Sequence, residues 1–316
     1  MNKIDKIMKQ QEGIIDCHAH AGLSIYNFYH GLYPAIQSLE DLVRKANGGK
    51  VDWIICFPSS DFYFCTKEML EEDQFVSSGL GKFPFEMANR YLLMEVKIYG
   101  QKVLPFLAFH PTLLPEKQCE EIKKWHERCH IYGLKLATGS TGCSIKDIVD
   151  TIFVDLLRIF KWPLIVHSGY DLQSNPLNVF EFAEIYPDIK ICVAHCGKFI
   201  KEFWGKVGRY DNIFVDVSPF LLSCLDAQKT QEKKGHLLEL NYANPREVIA
   251  TLYKYLPNRL LWGTDEPWTK ISRTSYNGKL DGSYSYEEEV GFLKSLNPEL
   301  RKAIAWRNPK YFLISA

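Results

Sequence analysis

The chain has 316 residues, 46% of them hydrophobic, and its 38 lysines plus arginines balance its 38 aspartates plus glutamates. A formal net charge of zero argues against nucleic acid or an anionic membrane as a bulk partner, though not against a local basic pocket for an acidic substrate. No stretch reaches the roughly 20 apolar residues of a membrane span, residues 1–10 carry charges where a signal peptide needs an apolar core, and the nine cysteines are scattered without a CxxC pair. The reading is a protein of the cytoplasm with reduced thiols.

In chain order, the first apolar run is Ile14-Ile15-Asp16-Cys17-His18-Ala19-His20. Alternate residues of a strand share a face, so His18 and His20 aim at one point, and two imidazoles aimed at one point are half of a zinc site. Further strand candidates lie near 51–57, 102–109, 133–137, 163–168, 189–195, 212–217 and 259–264. Helical patterns lie between and after them, near 38–47, 86–99, 115–130, 144–161, 176–186, 198–208, 243–256 and 286–296. Runs such as Val51-Asp52-Trp53-Ile54-Ile55-Cys56 are apolar without strict alternation, as in parallel strands covered on both faces. Ser144 and Asn175-Pro176 punctuate helix starts, and Gly133 and Pro163 open strands.

Eight strand-helix units in one chain of this length imply an α/β fold of the (β/α)8 TIM-barrel type, a single domain over residues 1–316. The competing doubly wound sheet would not gather distant strand ends around one ion. Two long segments follow strands. One runs from Pro58 to about Pro84 and carries Asp61-Phe62-Tyr63-Phe64, and the other runs from Pro219 to about Asn244. Both would rise from the catalytic rim as lids, contacts of a homodimer or plain solvated surface.

The later runs end in His167, His195 and Asp265. A single histidine at a strand end is more often a hydrogen-bonded core or surface residue. Five residues able to ligate a metal at strand C-termini shift that balance, because barrel active sites are built there. Three nitrogens and one carboxylate suit Zn²⁺ and, less selectively, Mn²⁺, Fe²⁺ or Co²⁺. A non-enzymatic metal-binding protein would need a closed metal shell instead.

On these motifs the chain resembles the amidohydrolase superfamily, in particular the amidohydrolase-related branch that includes the aminocarboxymuconate-semialdehyde and resorcylate decarboxylases. His18-Ala19-His20, His167, His195 and Gly263-Thr264-Asp265-Glu266-Pro267 carry the likeness. Ala88-Asn89-Arg90, Phe109-His110-Pro111, Asn212 to Ser218 and Asn308-Pro309 support it. The resemblance implies that His18, His20, His167 and Asp265 hold one metal with a water in an open position, that Asp265 also takes a proton from that water, and that His195 is catalytic, polarising a carbonyl or shuttling a proton. Lys135 falls at strand four, where in binuclear relatives a carboxylated lysine bridges two metals. Unmodified, it would bind a substrate carboxylate. The strand-four motif departs from the family in lacking a histidine after Lys135.

His110 is either a substrate contact or a loop turn before Pro111, and Arg273 either clamps an acidic group or is exposed. Asp16 shares the face of His18 as a candidate orienting partner. Asp52 and Asp216 read as structural. The expected partner is a small-molecule substrate. The expected reaction is hydrolysis of a small amide, ester or lactone by metal-activated water. The alternative is non-oxidative decarboxylation of an aromatic or unsaturated acid, which needs a cationic clamp such as Lys135 or Arg273.

Overall fold

The computed structural model describes residues 3–24, 27, 32–59, 82–230, 235–269, 272–273 and 284–314. Most of the segment after Pro58, His30 with its aromatic neighbours, and the side chain of Arg273 lie outside the described residues.

Eight parallel strands alternate with helices as a (β/α)8 barrel. The strands are β1 (Ile15–Leu23), β2 (Trp53–Pro58), β3 (Val103–Ala108), β4 (Gly133–Leu136), β5 (Leu164–Val166), β6 (Ile191–Val193), β7 (Ile213–Asp216) and β8 (Leu260–Leu261). They pair in sequence order from β1 to β8. The helices that follow them are α1 (Leu39–Gly48), α2 (Glu86–Tyr99), α3 (Pro115–Arg128), α4 (Ile152–Phe160), α5 (Val179–Ile185), α6 (Lys201–Val207), α7 (Pro245–Tyr255) and α8 (Tyr286–Lys294).

The barrel closes between β1 and the segment after β8. Cys17 N donates to Trp262 O (3.0 Å), Asp265 N to His18 O (2.6 Å) and His20 N to Glu266 O (2.7 Å). Asp16 tightens this seam: its carboxylate accepts from His18 N (3.1 Å), Thr264 N (2.9 Å) and Thr264 Oγ1 (2.7 Å). Gly263 permits the approach, since a Cβ there would stand 2.8 Å from both the Cβ and the backbone nitrogen of His18.

Strand sequences without strict alternation feed two cores. In β2, Ile55 and Phe57 point into the barrel with Leu104, Phe106, Ile165, Cys192, Phe214 and Leu261, while Ile54 and Cys56 face the helices. Such two-sided burial is the reason these runs are apolar throughout. The barrel interior continues into Ile7 of the N-terminal helix Lys3–Lys9 and into Trp306, Phe312 and Leu313 near the C-terminus, so both ends of the chain pack at the floor of the barrel.

The punctuation residues act where the sequence places them. Ser144 caps a short turn, Ile145–Ile148, through a capping box with Asp147, and Asn175 caps the turn that leads into α5. Gly133 has no room for a Cβ, which would meet the Phe106 ring at 2.1 Å. Three expectations are revised. The helix expected over 144–161 is broken at Asp150, whose φ is 60°. The helix expected from 198 starts at Lys201, after a turn of the opposite hand. The long segment after Pro219 contains a helix, Phe220–Thr230, that buries Phe220, Cys224 and Ala227 at helical spacing.

No helix among the described residues is long and apolar enough to cross a membrane. The eight described cysteines are all free thiols.

Candidate metal centre

β1 delivers His18 and His20. Its register shifts between Asp16 and Ala19, and this irregularity lets Cys17 pack in the barrel interior while His18 next to it also turns inward, its ring 4.6 Å from that of Phe57. Asp265 follows β8 with φ at 59°. His195 follows β6 and opens a full left-handed turn, His195–Phe199, with φ between 51° and 58°. Left-handed non-glycine residues cost about 1 kcal/mol or more each, and such strain concentrates at functional sites.

Three ligand atoms converge. Asp265 Oδ1 lies 3.2 Å from His18 Nε2 and 3.2 Å from His20 Nε2, all in buried positions. Each ring has its other nitrogen committed. His18 Nδ1 donates to Asp216 Oδ2 at 2.9 Å, and His20 Nδ1 faces Pro58 O at 3.4 Å. Both rings therefore aim an Nε2 lone pair at the Asp265 oxygen. His18 Nε2 and Asp265 Oδ1 have no hydrogen-bond partner although both are buried. Donor atoms around a tetrahedral zinc with bonds of about 2.1 Å stand about 3.4 Å apart, so the spacing and the orphaned lone pairs fit a divalent cation.

His167 comes close by way of His195. Their ring nitrogens, Nδ1 of His167 and Nε2 of His195, lie 3.0 Å apart, while His195 Nδ1 donates to Ser218 O at 2.7 Å. A carbonyl only accepts, so neutral His195 carries its proton on Nδ1, and His167 Nδ1–H donates to His195 Nε2. This leaves the Nε2 lone pair of His167 uncommitted among the described residues. His167 does not join the tight group of His18, His20 and Asp265.

Burial sets the charge states. It lowers His20 to about 4 and His195 to about 3, against the pull of Asp265 in each case. It also pushes His167 well down, with His195 adding to the effect. For His18, burial and Lys135 oppose the cation, but Asp216 and Asp265 outweigh them and raise its pKa. Asp265 stays well below the carboxylate range, because His18 and His195 overcome its burial. The site is thus a set of mostly neutral imidazoles around an ionised carboxylate, the protonation state that metal binding requires.

Asp216, read from the sequence as structural, is the main addition. It ends β7 facing inward, two residues after Phe214. Besides the His18 ring it accepts from His195 N (3.1 Å), Ser218 N (3.0 Å) and Ser218 Oγ (2.5 Å). These donors fill the carboxylate, so the grouping of His18, His195 and Asp216 is a hydrogen-bonded brace and not a second ligand set. Asp16 braces the backbone of His18 and not its ring. The sequence signal for Asp216 was its place at the end of an apolar run, the same place the histidines occupy on other strands.

Lys135 projects into the barrel from β4. It is 2% exposed, its Nζ has no hydrogen-bond partner, and it lies 4.6 Å from the Phe57 ring centre. Burial lowers its pKa to about 8, with Asp216 and Asp265 pulling the other way. His110 lies apart from the cluster. Its Nδ1 faces Thr112 N and Leu113 N at 3.3 Å, and Gln118 holds its backbone at both N and O. Burial lowers its pKa to about 4. Arg273 is described only as backbone, in a two-residue strand antiparallel to Leu32–Tyr33.

No curated protein matches the chain. Among solved structures, 5-carboxyvanillate decarboxylase from Novosphingobium aromaticivorans, complexed with manganese, is similar with a TM-score of 0.62 at 13% identity, over 96% of this chain and 97% of that one. A putative 2-pyrone-4,6-dicarboxylic acid hydrolase from Pseudomonas putida has a TM-score of 0.57 at 16% identity, over 96% and 98%. An amidohydrolase from Burkholderia multivorans with bound zinc has a TM-score of 0.59 at 12% identity, over 95% and 98%. At such identities the likeness is one of fold. The Amidohydrolase family model matches residues 80–313, well over half of the sequence, and the chain therefore belongs to the amidohydrolase family, as an enzyme of that superfamily.

Proposed function

We propose that this enzyme is a metal-dependent hydrolase acting on a small amide, ester or lactone. The observation that carries the reading is the convergence of His18 Nε2, His20 Nε2 and Asp265 Oδ1 at 3.2 Å, two of these atoms buried without a partner, beside a neutral His195. His18, His20 and Asp265 would hold the ion, with the free Nε2 of His167 as the fourth donor. Zinc is the ion these N and O donors suit best. When bound, the ion supplies a water acidified toward neutrality and a Lewis acid for the substrate carbonyl.

The remaining steps belong to the chain's own groups. Asp265 keeps Oδ2 outside the convergent contact, 3.8 Å from His195 Nδ1, and this oxygen takes a proton from the attacking water. The proton taken up by Asp265 then passes to the leaving group by way of His195, whose Nε2 receives it once His167 Nδ1–H releases that lone pair, while Ser218 O and Asp216 fix the His195 ring and backbone. Asp216 holds His18 in the tautomer whose Nε2 is unprotonated.

Decarboxylation is the second reading, favoured by the unpaired ammonium of Lys135. Hydrolysis leads because of where that ammonium stands. Lys135 pairs in register with Ile165, two residues below His167 on the way to the barrel mouth, so a carboxylate reaching it would have to pass the histidines. The test is metal-loaded enzyme offered aliphatic and aromatic lactones, esters, amides and aromatic carboxylic acids. Acid release with uptake of water is expected. Release of CO₂ from an aromatic acid, with no hydrolysis of any lactone, ester or amide, would reverse the order.

A further inference from the structure

One ion pair that the chemistry above does not use joins distant parts of the chain beside the seam. Lys45 on α1 sends its Nζ to Glu266 Oε1 at 2.5 Å, across 221 positions of sequence. The same ammonium reaches Asp41 Oδ2 at 3.0 Å and Gln37 Oε1 at 3.2 Å, so its three donors meet three acceptors. Lysine pairs on the outer helices are of another kind: Lys124 with Glu120 and Lys206 with Glu202 lie one helical turn apart, with both partners exposed. Here the Lys45 side chain is 24% exposed and that of Glu266 only 7%. Burial works against the ammonium, but Glu266 and Asp41 outweigh it and raise the Lys45 pKa. Withdrawing both charges from water offsets much of their attraction, so the pair is worth more as a fixed geometry than as a source of stability.

Each arm of this network ends beside a proposed ligand. Glu266 directly follows Asp265, whose left-handed backbone persists only where its flanks over-determine it. Glu266 N donates to Thr264 Oγ1 (3.2 Å), and its O accepts from His20 N (2.7 Å). The Glu266 side chain leaves the seam for the helix layer, where Oε1 meets Lys45 and Oε2 accepts from Thr269 Oγ1 (3.2 Å). On the other arm, Gln37 pairs in register with Gly22, two residues beyond His20. Its amide is held as well, with Nε2 donating to Asp41 Oδ2 (2.9 Å) and Ser38 O (3.1 Å). The helix that carries Lys45 is fixed in turn. Ser38 Oγ accepts from Asp41 N (3.1 Å), and Leu39 N donates to Glu95 Oε2 of α2 (3.0 Å). Lys45 thus straps the strand that carries His20 to the segment that carries Asp265. Lys45 and Arg44 balance Asp41 and Glu266, so the network calls for no ion from outside.

We propose that Lys45 is a positioning residue of this enzyme: by holding Glu266 and Gln37 together, it sets His20 Nε2 and Asp265 Oδ1 at the separation a divalent ion requires. The assignment rests on the reading of His20 and Asp265 as metal ligands, and failure of that reading has its own signature, the absence of zinc binding by wild type.

The test needs no turnover. Zinc affinity is measured by competition against a chelator, alongside the denaturation midpoint of the metal-free protein. Lys45→Met keeps the reach of the side chain and removes its charge. It should bind zinc about 10-fold more weakly than wild type, the lower end of the range for groups that orient ligands. Lys45→Arg should recover most of that affinity. Arg158→Met is the control: it breaks the ion pair of α4 with Asp188 (2.8 Å), away from the seam, and should leave zinc affinity unchanged. Cobalt supplies a readout that a loss of stability alone does not move, because its visible absorption follows the ligand geometry. Cobalt-loaded Lys45→Met should show shifted or weakened bands, while Arg158→Met should match wild type. Wild-type zinc affinity or an unaltered cobalt spectrum in Lys45→Met would overturn the proposal. An equal loss of affinity in Arg158→Met would do the same. If Lys45→Met does not fold, Glu266→Gln takes its place, since it keeps an oxygen for Lys45 and loses the charge. Weaker zinc binding is expected there too, and unchanged affinity would overturn the assignment. No zinc binding by wild type would remove the metal reading, and the role of Lys45 with it.

Discussion

At the residue scale, the two groups flanking the ligand set differ in what they should do when changed. In the proposed site His195 sits beside His18, His20, His167 and Asp265, a donor set that would suffice without it. His195→Asn is expected to keep the metal and lower kcat by roughly 10²–10⁴-fold, the usual scale of proton-transfer assistance. Metal analysis of that variant together with its turnover checks this, and loss of the ion would make His195 a ligand. Asp216 acts the other way round. It would not face the proposed ion, and it fixes the His18 ring through Nδ1. Asp216→Asn removes the charge and leaves an acceptor, so the protein should fold while metal affinity falls about 10–100-fold, the range for such orienting carboxylates. Competition against a coloured chelator measures it, and unchanged affinity would reduce Asp216 to a structural acid.

At the scale of elements, the seam and the β7 loop are the sensitive places. Gly263→Ala forces a Cβ to within 2.8 Å of His18. β1 and the segment after β8 must then separate by several tenths of an ångström, at about 1–3 kcal/mol of overpacking. Because the proposed ligands lie on both sides, the variant should lose metal affinity along with its denaturation midpoint. Loss of stability alone would mean that the seam does not set the site. The β7 loop is tied to α8 by Glu289, which is fully buried, accepts from Leu221 N at 2.8 Å and leaves Oε2 unpartnered. Burial raises its pKa from 4.5 to about 8. Between those values the native state holds a proton that the unfolded state has released, so stability contributed by the neutral acid is present below about pH 4.5 and lost as pH climbs toward 8. Glu289→Gln should flatten that decline in denaturant midpoints measured from pH 5 to 8. An equal slope in both proteins would refute it.

What could be read beforehand follows the same division. Each strand end is a local signal: an apolar run, then a histidine or aspartate. Runs such as Leu164-Ile165-Val166-His167 therefore announce their place without help from the rest of the chain. The handedness of His195–Phe199 was not legible, because only Gly197 among the five favours a left-handed backbone and tertiary bonds impose the rest. Asp52 and Asp216 looked alike in sequence, and Asp16 was set apart only by the face it shares with His18. They are told apart by the inward parity of β7 and by the register shift in β1, and neither is written in periodicity. The helix Phe220–Thr230 was hidden by its polar second half, Asp226 to Thr230, whose charges face outward.

Over the whole molecule the first expectation is stoichiometric. Purified protein should carry about one transition metal per chain, and exhaustive chelation should abolish activity and lower the melting temperature, since a ligand bound only by the native state stabilises it. Full activity in verified metal-free enzyme would exclude the mechanism. The closure of the barrel gives this a spatial form. Between β1 and β8 the ring is held by a handful of backbone bonds, and β8 is only two residues long. His18 and His20 stand on one lip of that join and Asp265 on the other, so the ion would be a clasp across the seam that closes the ring. Stripping it should then quicken deuterium uptake first at the amides of Cys17, His20 and Asp265, while those of β3 to β6, on the far wall, keep their protection. In such a barrel, losing the catalyst and beginning to unroll are the same event.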